Sequence, residues 1–339
     1  MARKKILRQL YWISLLATTL SVISITSCMD SLQRKPDSSY TLIENSREKP
    51  TREDFDLIRF QVSGVDRMCG VYCPTHLGAL EPRPLVLVLH GGGGNYRDFA
   101  KKTSWIQHSR KTGFVVAFLQ AQELCLKSNG KRKTGNFWTT EAKKEQLCLG
   151  ENYHNDSDYL DVVLAEIRGK YNIDSNRIYA AGFSNGMGYI LQNVITRKPK
   201  VFAAVGGVGS MIYLPYKGSA NMPVMMIIGQ KDKRLAKYSN LNHFPMKDQY
   251  SIFHDETHRT CLNHLTTYLG VGRERYEWAL DEHSLSIDFY PDASDSPSFL
   301  KYLMIRDLTH RFPHRSQFGY ELDGATLLWN FFENKSLSL

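Results

Sequence analysis

Three side chains, each just beyond a strand-like run, could together do covalent chemistry: a serine, an aspartate and a histidine. Gly182-Phe183-Ser184-Asn185-Gly186 fits the pattern G-x-S-x-G. A strand pattern, Ile178-Tyr179-Ala180-Ala181, leads into it, and a helical pattern from Met187 to Thr196 leads out. That strand–turn–helix is a nucleophile elbow: the turn is sharp, its neighbours must be small, and the serine is presented at the sheet edge. A serine hydroxyl is a weak nucleophile at neutral pH, so it needs a base, and the base needs an acid to orient it. Behind such an elbow the acid precedes the histidine in the chain. Asp232 follows the apolar run Pro223–Ile228, and His310 follows Phe299–Ile305, both in the required order. His314 is the competing base; Asp288 and Asp307 are competing acids, and Asp288 lies inside a strand-like stretch.

An acyl-transfer intermediate also needs two backbone donors for its oxyanion. The residue after the nucleophile, Asn185, offers one N–H. The loop His90-Gly91-Gly92-Gly93-Gly94 offers the other, from Gly92, because glycines let backbone approach a substrate closely. The same glycines lack the GK[ST] of a P-loop and the G-x-G-x-x-G spacing of a dinucleotide site. His90 and Trp138 are expected in the substrate pocket, with Asn136-Phe137-Trp138 as a wall or lid within a polar loop spanning residues 121–155. The alternative for that stretch is a surface loop carrying a half-buried aromatic cluster. His254 and His258 share helical spacing but do not form H-E-x-x-H, and they are expected to be surface histidines.

The elements that must position these groups alternate between strand and helix. Residues 55–62 and 67–73 read as opening strands, and 85–89 as a strand buried on both faces. A helix is predicted over 98–111, a strand over 114–119, a helix over 158–168 stopped by Gly169, and strands over 177–181, 201–208, 223–228, 285–290 and 299–305. A last helix falls near 324–332. The alternation predicts an α/β fold, a mostly parallel sheet with helices on both faces, with ligands beyond the carboxyl ends of the strands.

Several runs resemble a known family. Leu87-Val88-Leu89-His90-Gly91-Gly92-Gly93-Gly94-Asn95, Asn172-Ile173-Asp174-Ser175-Asn176-Arg177-Ile178-Tyr179 with the elbow, Phe202-Ala203-Ala204-Val205 and Asp323–Phe332 are similar to the polyhydroxybutyrate depolymerase and feruloyl esterase group of α/β hydrolases. The resemblance covers about residues 65–332. It implies an α/β-hydrolase fold and a serine carboxylic ester hydrolase with a triad at Ser184, Asp232 and His310. The implied substrates are hydroxyalkanoate esters, or feruloyl and acetyl groups on polysaccharides. The chain departs from the family pattern at Gly186-Met187-Gly188, at Ile228 before Gly229, and at Thr309-His310-Arg311-Phe312-Pro313. These positions lie beside the pocket and bear on substrate choice. Two other functions compete: a non-catalytic surface lipoprotein using the fold as a binding scaffold, and an exported serine peptidase.

The first residues carry a separate message. Arg3, Lys4, Lys5 and Arg8 precede an apolar stretch over 10–25, too short for an ordinary membrane span and apt for a secretory signal. Ile25-Thr26-Ser27-Cys28 resembles a bacterial lipobox, which implies a signal peptide over 1–27, lipidation of Cys28, a flexible tether over 28–52 and an enzymatic domain over 53–339. The expected location is a membrane-anchored lipoprotein of the bacterial periplasm or cell surface. The alternative is an uncleaved N-terminal anchor. Removing four basic residues with the signal takes the formal net charge from +9 to +5. No basic run with interleaved aromatics points to nucleic acid. Export permits disulfides; Cys125 and Cys148, at either end of one loop, are the first candidate pair. Cys69 and Cys73 lie four apart in a strand-like run, which is poor geometry for a bridge. No C-x-x-C pair suggests structural zinc. No metal or organic cofactor is expected, and the partners are an ester substrate and, through Cys28, a membrane.

Overall fold

In the computed structural model, the described residues are 40–48 (as backbone), 55–74 and 81–337, apart from 129, 152, 153, 155, 213, 214, 294, 295 and 315–321. The signal stretch and Cys28 therefore lie outside the described residues.

Among the described residues there are thirteen strands: β1 Tyr40–Glu48, β2 Phe55–Val62, β3 Val65–Tyr72, β4 Arg83–Leu89, β5 Val115–Leu119, β6 Gln122–Ser128, β7 Lys131–Phe137, β8 Ile173–Phe183, β9 Ala204–Val208, β10 Pro223–Gly229, β11 Val271–Leu280, β12 Ser284–Pro291 and β13 Phe299–Ile305. Eleven form one sheet in the order β1-β2-β3-β5-β4-β8-β9-β10-β13-β12-β11. The central block β5-β4-β8-β9-β10-β13 is parallel, and the flanking strands pair antiparallel. β6 and β7 make a separate antiparallel hairpin. The outermost strand, β11, loses register with β12 between Val271 and Tyr276.

Ten α-helical segments accompany the strands among the described residues: α1 Tyr96–Lys101, α2 Trp105–Thr112, α3 Glu141–Lys144, α4 Asp156–Lys170, α5 Asn185–Tyr189, α6 Ile195–Arg197, α7 Lys233–Ala236, α8 Gln249–His254, α9 Glu256–Leu269 and α10 Gly324–Phe332. A π-helical stretch, Ile190–Val194, joins α5 to α6.

The period-2 alternation of strand side chains sorts the central sheet into two cores. Leu85, Leu87 and Leu89 of β4 pack with Tyr159 and Val163 of α4, Leu191 after the elbow and Leu265 of α9. Val86 and Val88 of the same strand pack on the opposite face with Trp105 of α2 and Trp329 of α10. With both faces covered, Leu85 through Leu89 are all at most 1 % exposed, which is why the run reads as continuous apolar sequence.

The predicted helix over 98–111 is in fact two, α1 and α2, because Thr103 and Ser104 break it; the Thr103 hydroxyl donates to Phe99 O (2.8 Å). Gly169 does not stop α4, which runs on to Lys170. Residues 40–48, expected in the tether, form β1 and pair with β2. Their Tyr-Thr-Leu-Ile start has strand propensity that the polar composition of 28–52 masked.

Candidate active site

Ser184 sits at the turn between β8 and α5 with φ 51° and ψ −115°, a left-handed conformation rare for a residue bearing a Cβ. The turn is tight enough that only glycine fits on either side. A Cβ on Gly182 would stand 2.5 Å from Met187 N, and one on Gly186 would stand 2.4 Å from Leu89 O. The Ser184 amide donates to Val208 O (2.8 Å), fixing the elbow to β9.

Asp232 follows β10 and caps α7. Its Oδ1 accepts from the amides of Arg234 (3.0 Å) and Leu235 (3.3 Å). Its Oδ2 lies 2.7 Å from His310 Nδ1. The carboxylate is fully buried and accepts only, so His310 Nδ1 carries the proton and Nε2 accepts. The Ser184 hydroxyl donates to that Nε2 at 2.8 Å. Gly209, at φ +72°, lies against the same imidazole; a Cβ there would be 3.3 Å from His310 Cε1. Thus three residues on different strand ends converge in one hydrogen-bonded line.

The competitors are elsewhere. Asp288 is paired with Lys301 (2.7 Å), and Asp307 is exposed and paired with Lys231 (2.7 Å). His314 lines a second cleft beside His310 but does not take its place between serine and carboxylate.

The glycine loop stands beside the serine. A Cβ on Gly92 would lie 3.3 Å from Asn185 Cβ, so these two backbones are close neighbours. The amides of Gly93 and Gly94 are taken up by Asn136 O (2.7 Å) and Gly91 O (3.0 Å). Gly92, expected to give one oxyanion donor, thus stands beside Asn185, the residue expected to give the other.

His90 and Trp138, expected on the pocket wall, are buried behind it at 1 % and 0 % exposure. This corrects their role: they frame the loop rather than touch a ligand. His90 Nε2 accepts from the Ala121 amide (3.2 Å), so Nδ1 carries the proton and donates to Gly91 O (2.8 Å). Burial lowers the His90 imidazole to about 4, which keeps it neutral. Trp138 Nε1 donates to His90 O (2.8 Å).

Sequence reasoning missed the clamp around Asn185. Its side-chain Oδ1 accepts from Trp138 N (2.8 Å) and its Nδ2 donates to Trp138 O (3.2 Å). Asn136 Nδ2 donates to Gly94 O (2.7 Å). One residue further, the Thr139 amide and hydroxyl donate to Asp156 Oδ2 (2.7 and 2.8 Å), while Arg67 binds Asp156 Oδ1 (2.6 Å) and lies 3.9 Å over the Tyr159 ring. The run Asn136–Thr139 is therefore a rigid brace. The signal available in sequence was the pair of asparagines facing a Gly-rich loop; nothing local marked the distant Arg67–Asp156 pair.

The expected loop over 121–155 contains the β6–β7 hairpin and α3. Its polar strands face solvent, and only Leu124, Leu126 and Phe137 bury an apolar face of their own. A disulfide joins Cys125 to Cys148, as expected, while Cys69, Cys73 and Cys261 are free thiols. His254 is exposed, but His258 is buried; its Nδ1 lies 2.7 Å from Asp255 Oδ1, and its ring meets Phe244 and Tyr302 edge-on. The expectation of two surface histidines fails because α8 ends at His254 and Asp255 starts a new helix, turning His258 into the core.

A cleft of about 380 Å³ opens over the Ser184 hydroxyl, bordered by Thr140, Gln146, Gln192, Ser210, Met211 and Tyr238. Among the described residues, no group of three or more His, Cys, Asp or Glu side chains could hold a metal ion, and no helix is long and apolar enough to cross a membrane.

A parallel sheet wound in this order, with serine on a strained strand–helix turn and an acid and histidine on later strand ends, defines an α/β hydrolase. The family model described as esterase PHB depolymerase matches residues 69–237, and over this stretch the chain is similar to the PHB-depolymerase-like esterases. Among curated proteins it is 27 % identical over 155 residues to NocK of Nocardia uniformis subsp. tsuyamanensis, an esterase by name, covering 45 % of this chain and 41 % of that one. It is 25 % identical over 194 residues to the bifunctional acetylxylan esterase/xylanase XynS20E of Neocallimastix patriciarum, covering 56 % of this chain and 25 % of that one. The chain thus spans less than half the length of either relative. An acetyl xylan esterase from Aspergillus awamori superposes with a TM-score of 0.50 at 14 % identity, over 87 % of this chain and 99 % of that one. An S-formylglutathione hydrolase from Agrobacterium tumefaciens does so with a TM-score of 0.50 at 13 % identity, over 80 % and 92 %. At such identities the likeness is one of fold.

Proposed function

We propose that this chain is a serine esterase that hydrolyses carboxylic esters through an acyl-enzyme. The observation that carries the reading is the Asp232–His310–Ser184 line, with contacts of 2.7 and 2.8 Å. His310 takes the hydroxyl proton as Ser184 Oγ attacks the ester carbonyl. The oxyanion forms between the amides of Gly92 and Asn185. Collapse expels the alcohol, which receives the proton from His310. Water then repeats the sequence: it gives its proton to His310 and its hydroxyl to the acyl carbon, and Ser184 is released. Asp232 holds the imidazole tautomer and stabilises the imidazolium that forms twice. The esterase relatives support acyl groups on polysaccharide hydroxyls as substrates, and the family description keeps hydroxyalkanoate esters in view.

p-Nitrophenyl acetate hydrolysis by the soluble domain tests the reading. Ser184→Ala is expected to remove most of the rate, on the order of 10⁶-fold by analogy with serine hydrolases. A wild-type domain inert towards every short ester would instead favour a binding scaffold. Faster cleavage of matched amides than of esters would favour a peptidase.

We also propose that the domain works outside the cytoplasm, anchored through lipid on Cys28. The Cys125–Cys148 disulfide supports an oxidising compartment. Expressed in a bacterium, the full chain should incorporate labelled palmitate, and Cys28→Ser should abolish labelling; equal labelling of both would refute the anchor.

A further inference from the structure

Two clefts meet at His310. The first, over Ser184, is bordered by Lys143, Arg234 and Lys237. The second, of about 640 Å³ and also bordered by His310, is lined by Lys101, Lys102 and Arg311. No carboxylate borders either cleft among the described residues. None of the six cations has an ion-pair partner among the described residues.

A seventh cation reinforces the first group. Lys133 on β7 points its ammonium at the glycine loop, 3.8 Å from where a Cβ on Gly93 would stand. Lys133 and Lys143 lie 5.8 and 6.0 Å from the centre of the same Phe137 ring. Burial, and then the neighbouring Lys133, lower the Lys143 ammonium below the usual lysine range. Like charges gathered with no ion-pair partner among the described residues repel one another and focus the field in the cleft, and an anion relieves that repulsion.

The neutral groups in the first cleft suit a sugar. Gln146 and Gln192 supply amides, Thr140 and Ser210 supply hydroxyls, and Tyr238 presents a ring that is 59 % exposed. Neither a polyhydroxyalkanoate nor a neutral xylan would use the cations. Because the reacting histidine borders both cation-lined clefts, charges that match them would lie on both sides of the scissile ester.

Resting on the esterase reading, we propose that the substrate is an acyl ester on a carboxylated polysaccharide, with uronate-type units on either side of the acylated sugar. The acyl–oxygen bond to the sugar breaks. Water supplies the hydroxyl that leaves with the acyl group and the proton that returns to the sugar oxygen. The flanking carboxylates keep their charge throughout and act only in binding.

The test measures kcat/KM on O-acetylated polygalacturonate, O-acetylated xylan and p-nitrophenyl acetate side by side. At about 0.02 M salt the polyuronate should be preferred over xylan by at least about tenfold, and at about 0.5 M, where screening shortens the Debye length to a few ångströms, the preference should largely vanish. The double variants Lys143→Gln/Lys237→Gln and Lys101→Gln/Lys102→Gln should each lower the polyuronate-to-xylan ratio about three- to tenfold, whereas Lys200→Gln at an exposed distant turn should not move it. Equal rates on the two polymers with a flat salt response would overturn the proposal, as would a ratio that neither double variant changes. Turnover of p-nitrophenyl acetate separates this failure from that of the esterase reading, which falls if none of the three substrates is hydrolysed.

Discussion

Asparagine in place of Asp232 tests the line of contacts at its least accessible point. Asp232 Oδ1 is fixed by two amides, Arg234 N and Leu235 N, and Oδ2 faces His310 Nδ1. An asparagine must keep its oxygen on the two amides, since its NH2 group has nothing to donate to there. The NH2 group then meets His310 Nδ1 and forces that nitrogen to accept. The proton moves to Nε2 and faces Ser184 Oγ, 2.8 Å away in the native arrangement, so the imidazole can no longer act as a base. In the Ser-His-Asp template the same substitution costs about 10⁴ in kcat, or about 5 kcal/mol of barrier. Asparagine caps a helix as well as aspartate does, so Tm should stay within a degree or two. Burst and steady-state kinetics on p-nitrophenyl acetate, alongside calorimetry, read both effects. An Asp232→Asn enzyme with unchanged Tm and more than about a tenth of the native kcat would refute the reasoning.

Two other perturbations address the frame. Asn185→Ala removes both hydrogen bonds to the Trp138 backbone and frees the elbow amide to drift, so kcat should fall about 10²-fold with little change in KM; a pure KM effect would show that the clamp serves binding instead. The second concerns acid. His90 is lowered from 6.5 to about 4 by burial, so between those pH values the unfolded chain binds a proton that the folded chain does not. The stability from the neutral ring is therefore fully present above about pH 6.5 and is lost as pH falls towards 4, by about 3 kcal/mol. Thermal melts from about pH 7 to about pH 4.5 should show a shallower fall for His90→Gln than for the native protein, and parallel curves would remove His90 from the acid response.

What could be read from the sequence followed burial. β4 and β10 carry unbroken apolar runs because both of their faces are covered, and β13, interrupted at Lys301, and α10 have the expected bounds. The Ser184, Asp232 and His310 positions were legible because each lies within a few residues of the end of a strand-like stretch and the elbow glycines mark the turn. The β6–β7 hairpin was not: Lys131, Arg132, Lys133 and Thr134 are all exposed, so the strand shows no apolar alternation. α9 was hidden by Thr257, His258 and Thr266, which are buried in a polar-looking sequence. Aromatic residues near a glycine loop, such as Trp138 and His90, suit both a pocket wall and its support. Only the hydrogen bonds of Trp138 Nε1 and His90 Nε2 to backbone decide between the two.

An open sheet ends in a rim where a foreign segment can zip on, and β11 is one such rim here. Its Trp278 and Leu280 are 43 % and 39 % exposed, which would invite that contact. Upstream, Arg273, Glu274 and Arg275 are exposed within the stretch where pairing with β12 slips. An invading strand would find a short ladder, residues 276–280, and then alternating charge on a misaligned backbone. Edge-to-edge pairing along this border is thereby limited to a few residues.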